Sequence, residues 1–174
     1  MLQHTLCLGS VAARLEGQRL ERQYLIDRLA SEHDNLHVVI EWALQGGHVD
    51  AGLRITGDLF VYWFVRSHWT EACQVLEALL ARPEGLGKTA VRARALGGAG
   101  WFHAVLGEVE LAHACLTKAI AMARECGART ILGELLTLMA YFVIRQSADM
   151  AYAFAQEGLA LGRELLDFFI VGHA

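Results

Sequence analysis

One proline among 174 residues, with 55% apolar and 20% charged side chains, excludes a collagen-like, low-complexity or disordered chain. Excess positive charge is missing too. Fifteen Lys and Arg stand against 19 Asp and Glu, a formal charge of −4, and without a cationic surface to displace counterions no direct nucleic-acid contact is expected. Cysteine is sparse, at positions 7, 73, 115 and 126, with neither a C-x-x-C pair nor zinc spacing; four scattered thiols make no secreted disulfide framework and point to a reducing cytoplasm. The longest apolar runs, residues 59–65 and 138–144, fall far short of the roughly 18 to 20 residues that span a bilayer. The first nine residues lack the basic region of a signal peptide. No stretch alternates strictly, so strands are not expected, and β-branched residues are scattered among helix-favouring Ala, Leu, Glu and Arg.

What is present reads as an all-α chain of helices about fifteen to twenty residues long. Breaks fall at Gly17, Gly46-Gly47, Pro83 to Gly87, Gly107, Gly127 and Arg145 to Ser147. Start signals accompany them: Ser31-x-x-Asp34 resembles a capping box, and Asp50, Thr89, Thr130 and Ser147 are placed to accept from first-turn amides. Sliding the sequence on itself by 40 and then 39 residues superposes three stretches. Ala72, Ala112 and Ala151 coincide, as do Tyr62, Phe102 and Tyr141; Val65, Val105 and Ile144; and Leu80, Ile120 and Leu159. These are expected core positions. Trp63, His103 and Phe142 also coincide, while Ser67, Gly107 and Gln146 mark the same turn between two helices. The expectation is a right-handed α-solenoid of antiparallel helical hairpins, with a small residue at one fixed position letting paired helices approach closely. Residues 1–47 form an N-terminal helical segment, and hairpins occupy about 50–83, 89–127 and 128–167.

The middle unit, Ala93 to Arg124, resembles a tetratricopeptide repeat through Gly100, Gly107, Ala112, Leu116 and Ala119. His103 stands where that motif usually has Tyr, and Arg124 replaces its terminal Pro. The long period resembles the variant repeats of large bacterial transcriptional activators. A second segment, Leu25-Ile26-Asp27-Arg28-Leu29-Ala30-Ser31-Glu32-His33-Asp34-Asn35-Leu36 followed by Glu41-Trp42-Ala43-Leu44, is similar to a stretch of multidomain signalling ATPases. In those proteins, which include LuxR-type and antibiotic-regulatory-type activators, a P-loop ATPase and a winged helix precede it and tetratricopeptide-like repeats follow. The resemblance implies a fragment that serves as a sensor and protein-interaction arm, binding a protein or a small-molecule inducer on its concave face. By analogy with the motif, Arg54, Phe64, Arg94, Trp101 and Ala140 face that groove.

Chemistry-bearing motifs are weak. Gly85-Leu86-Gly87-Lys88-Thr89 ends like a P-loop, but Arg82 stands where its first glycine belongs and a helix rather than a strand leads in. His33 and His37 lie four apart on one helix, and two ligands make no metal site. No nucleophile elbow occurs, and Glu108 and Glu110 suit a helix start. No catalysis, cofactor or metal is therefore expected. Arg82, Lys88, Arg92 and Arg94 form a basic patch that reads as a solvated face, with docking of an acidic partner or a neighbouring domain as the other reading. Cys115 and Cys126 are expected as core thiols, too far apart along a helix to bond. The C-terminal stretch Leu165-Leu166-Asp167-Phe168-Phe169-Ile170-Val171 is unusually apolar for a solenoid end and is expected to be buried on the last hairpin or against a second copy. That second arrangement defines the alternative function, a homo-oligomerisation module.

Overall fold

The computed structural model describes residues 21, 23–82 and 87–165. Every regular element among them is helical: residues 23–31, then α1 His33–Gln45, α2 Val49–Asp58, α3 Phe60–Arg66, α4 Trp69–Leu80, α5 Ala90–Leu106, α6 Val109–Glu125, α7 Arg129–Val143 and α8 Ala148–Leu165. No helix among the described residues is long and apolar enough to cross a membrane. The breaks at Gly17 and 83–86, Cys7 and the apolar stretch 166–171 lie outside the described residues.

The chain divides into two compact units, Met1–Val39 and Ile40–Ala174. In the first, Ser31 does not cap. Its Oγ donates to the Arg28 carbonyl at 2.7 Å, and the Leu36 amide bonds back to Glu32 at 2.9 Å, so the helical path continues past the expected start. Asn35 Nδ2 donates to Glu32 Oε2 at 2.6 Å across the junction.

In the second unit, successive helices pack on one another: α5 on α6, α7 on α8, α4 on α5 and α6 on α7. α2 and α7 both lie against α5. Turns explain the pairing. After α5, Gly107 takes φ 85°, a left-handed conformation that costs glycine nothing, and the Glu108 amide bonds to the His103 carbonyl at 2.9 Å. Ser67 does the same after α3 at φ 60°. Close approach explains the contact: a Cβ on Gly100 of α5 would stand 2.9 Å from Leu116 Cγ and 3.1 Å from the Leu116 backbone nitrogen of α6. Ala72, Ala112 and Ala151, the small residues at the shared position, are all buried. Thr89 caps α5, accepting from the Arg92 amide at 3.2 Å, and Ser147 accepts from the Met150 amide at 3.3 Å. Asp50 instead pairs with Arg54 at 2.9 Å, and Thr130 falls inside α7, whose N-cap Ala128 offers no side-chain acceptor.

Two sequence expectations change. The first hairpin's leading helix is interrupted at Leu59, two residues after Gly57, giving α2 and α3 rather than one rod. The register through α7 also differs. Tyr62 and Phe102 are buried at 1% and 0%, but Tyr141, aligned with them by the 39-residue shift, is 50% exposed. Val65 and Ile144, expected in the core, are exposed as well, while Trp63, His103 and Val143 are buried. A shift of 40 residues fits α7: Arg94 then matches Glu134, Trp101 matches Tyr141, and buried Ala99 matches buried Met139. The missing residue therefore lies in the turn after Val143, where the Gln146 and Ser147 amides both reach the Val143 carbonyl, at 2.8 and 2.9 Å, and no residue takes positive φ.

Candidate functional site

Because α2, α3 and α7 all lie against α5, residues 40 positions apart come together as columns. Asp58, Gly98 and Leu138, each 40 residues from the next, line one cleft, and so do Val61, Trp101 and Tyr141. Phe60, Phe64, Leu76, Leu135 and the small residues Gly57 and Ala95 complete walls around a volume of about 430 Å³. That size lies in the range of small-molecule sites, and an apolar lining with a few placed polar groups is their usual composition.

The aromatic wall is a row of three rings. Phe64 and Trp101 have centroids 6.3 Å apart, and Trp101 meets Tyr141 edge-on at 6.4 Å. The Trp101 indole N–H is buried, and no acceptor among the described residues lies within hydrogen-bond reach. Phe60 packs against Phe102 with ring centroids 5.2 Å apart and the rings tilted by 44°. At the polar end, Arg94 bridges two carboxylates carried by different helices, Nη1 to Asp58 at 3.3 Å and Nε to Glu134 at 3.2 Å. Thr56 and Thr137, both buried, donate their hydroxyls to their own helices, at Leu53 and Gly133.

Of the residues assigned to the groove from sequence, Phe64, Arg94 and Trp101 line this cleft together. Arg54 lines a smaller adjoining hollow, which also includes Arg94 and Asp58, and it is held by Asp50 at 2.9 Å. Ala140 lies outside the cleft and borders a separate hollow between α7 and α8, with Ile144 and Tyr152. The register correction accounts for this: Tyr141, not Ala140, occupies the position of Trp101. Asp58, Glu134 and Leu138 were not singled out from sequence; carrying the 40-residue shift from Arg94 unbroken through α7 would have found Glu134, but not Asp58 or Leu138, which match Gly98.

The basic patch is consumed internally. Arg82 donates to the Leu44 carbonyl and buried Arg92 to the Leu80 carbonyl at 2.7 Å, while Lys88 pairs with Glu125 at 2.6 Å. Burial holds the Arg92 guanidinium below its ordinary range. His103, standing at the motif's Tyr position, is buried at 3% between two carboxylates, with Nδ1 2.5 Å from Glu108 and Nε2 3.1 Å from Glu77. Glu108 thus has a specific partner besides its place at the helix start. His33 and His37 meet edge-on, with Nε2 atoms 3.3 Å apart. Cys73 and Cys115 are withdrawn from solvent, but Cys126 is exposed rather than a core thiol, because it lies past the end of α6 as its C-cap. Compared with known proteins, the chain matches no family model and no curated sequence.

Proposed function

We propose that this chain is a noncatalytic helical-repeat sensor of the tetratricopeptide-like kind, part of a bacterial signalling-ATPase transcriptional regulator, and that it binds its inducer in the cleft between α2, α3, α5 and α7. The observation that carries this reading is the cleft itself, an apolar volume of about 430 Å³ whose walls come from three successive repeat positions. Support for a solenoid of helical hairpins comes from the paired packing of α5 with α6 and α7 with α8 and from the shared left-handed turn residues Ser67 and Gly107. A ligand touching all three positions favours one set of helix spacings over another, which is the differential affinity a sensor needs. The cleft's volume favours a small molecule over a folded protein partner. The alternative, an assembly module joined through its apolar C-terminal stretch, rests on residues 166–171, which lie outside the described residues.

The test is the reading frame on either side of this segment and, in the protein it encodes, the double substitution Arg94→Ala with Trp101→Ala. An upstream P-loop ATPase with a winged helix, and loss of inducer response in the double variant, is the expected result. An unchanged response refutes the cleft assignment.

A further inference from the structure

Twice in this chain the groove between two paired helices is filled by the helix that follows them. α5 lies against α2 and α4, and α7 lies against α5 and α6. In the second case Tyr141 and Phe142 of α7 meet Trp101 and His113, each pair with ring centroids 6.4 Å apart. The third groove, between α7 and α8, is open among the described residues. It is a hollow of about 300 Å³, lined by four alanines with Tyr141, Ile144 and Tyr152. Its depth has a cause in the sequence: where the first two hairpins place the buried leucines Leu76 and Leu116, the third has Ala155. Whatever fills the hollow must bring a bulky, uncharged side chain, because none of the lining residues is charged and a lone charge there would lose its water without gaining a partner. Two carboxylates of α8 are engaged elsewhere, Glu157 with Arg124 of α6 at 2.8 Å and Glu164 with Arg129 of α7.

The same patch carries the complement. Tyr152, close to Ala151 and Ala155 on α8, is 67% exposed, and the Gln156 amide donates to its hydroxyl at 2.5 Å. A socket and a knob side by side suit a copy of the same surface turned about a two-fold axis, where every contact is made twice. Charge points the same way. Identical copies bring identical charges, a formal −4 on each, so an uncharged face is where two of them can meet without repulsion.

We infer that the hollow between α7 and α8 is a self-association surface, in which a second copy of this chain seats its Tyr152 among the alanines and receives the first copy's Tyr152 in return. The inference depends neither on the cleft nor on residues 166–171.

The experiment is sedimentation of the intact chain from about 1 to about 200 μM, the range in which a modest homodimer exchanges with its monomer. The expected result is a mass that rises with concentration from one chain toward two. Tyr152→Asp removes the knob, and Ala155→Leu fills the socket with the side chain found at Leu76 and Leu116; each is expected to raise the dissociation constant roughly tenfold or more. Leu111→Asp, at an exposed apolar position on α6, should leave it unchanged. The leucine variant separates a fitted surface from general stickiness, since it makes the patch more apolar and would strengthen nonspecific adhesion. A mass that stays at one chain throughout, association that survives Tyr152→Asp or Ala155→Leu, or an equal loss in Leu111→Asp overturns the inference.

Discussion

Trp101 packs its ring between those of Phe64 and Tyr141 while its N–H meets no acceptor among the described residues. A buried donor left unpaired costs about 1–3 kcal/mol. Replacing the indole by a phenyl ring removes that cost and sacrifices some packing, so Trp101→Phe is expected to leave stability unchanged or raise it by up to about 1 kcal/mol in denaturant unfolding. A substantial loss would mean that the indole is bonded. The cysteines give a second test at this scale. Burial is the main cause that pushes the Cys73 thiol from 9.0 up to about 12, with Glu77 and Glu108 adding to it, and burial also raises Cys115. Neither forms thiolate readily near neutrality, whereas Cys126 is exposed. Peptide mapping after brief alkylation of the native chain at about pH 8 should therefore show Cys126 modified well before Cys73 and Cys115. The same shift carries a sign for stability. A thiol whose folded value is raised keeps its full contribution below pH 9.0 and loses it as pH rises toward about 12. Unfolding free energy should thus fall through that alkaline window, and less steeply in Cys73→Ala.

Among the helices, α5 carries the glycines that decide spacing. A methyl on Gly100 would press on the Leu116 backbone nitrogen at 3.1 Å, which cannot yield unless α6 moves. Overpacking of that kind costs about 1–3 kcal/mol, more than the roughly 1 kcal/mol that alanine gains in helix propensity. A methyl on Gly98 would meet only Phe60 and Leu76 side chains at 3.6 and 3.7 Å, ordinary contact. Gly100→Ala is expected to lower the thermal midpoint and Gly98→Ala to raise it, the second at the expense of cleft volume. The helices themselves were legible from sequence, since apolar spacing and the glycine punctuation at 107 and 127 mark where α5, α6 and α7 end or begin. Side-chain capping was legible at Thr89 and Ser147 but not at Ser31 or Thr130, where the backbone continues in helix or the threonine sits inside it. The break at Leu59 leaves no sign in the apolar run that contains it. The pairing of His103 with Glu77 and Glu108 was hidden because Glu77 lies on a different helix.

For the molecule as a whole, aligning the sequence on itself means that one misplaced residue displaces a column. Aligning Ala151 with Ala112 is right for α8, but carrying that 39-residue shift back through the turn into α7 exchanged Tyr141 for Ala140. Phe64, Arg94 and Trp101 were legible because each lies before that turn. Glu134 was not, since a carboxylate at the position matching Arg94 looks like ordinary surface variation until the two are seen paired, and Asp58 matches the uncharged Gly98 and Leu138. The interruption at Leu59 has a dynamic consequence. α5 forms its side of the cleft as one helix of 17 residues, whereas the opposite side is jointed, with ten residues in α2 and seven in α3. Short helices open more readily, so the native amides of α3 should exchange with deuterium sooner than the central amides of α5. Occupancy of the cleft should slow α3 most, making the jointed wall the part of the molecule where binding is recorded as protection.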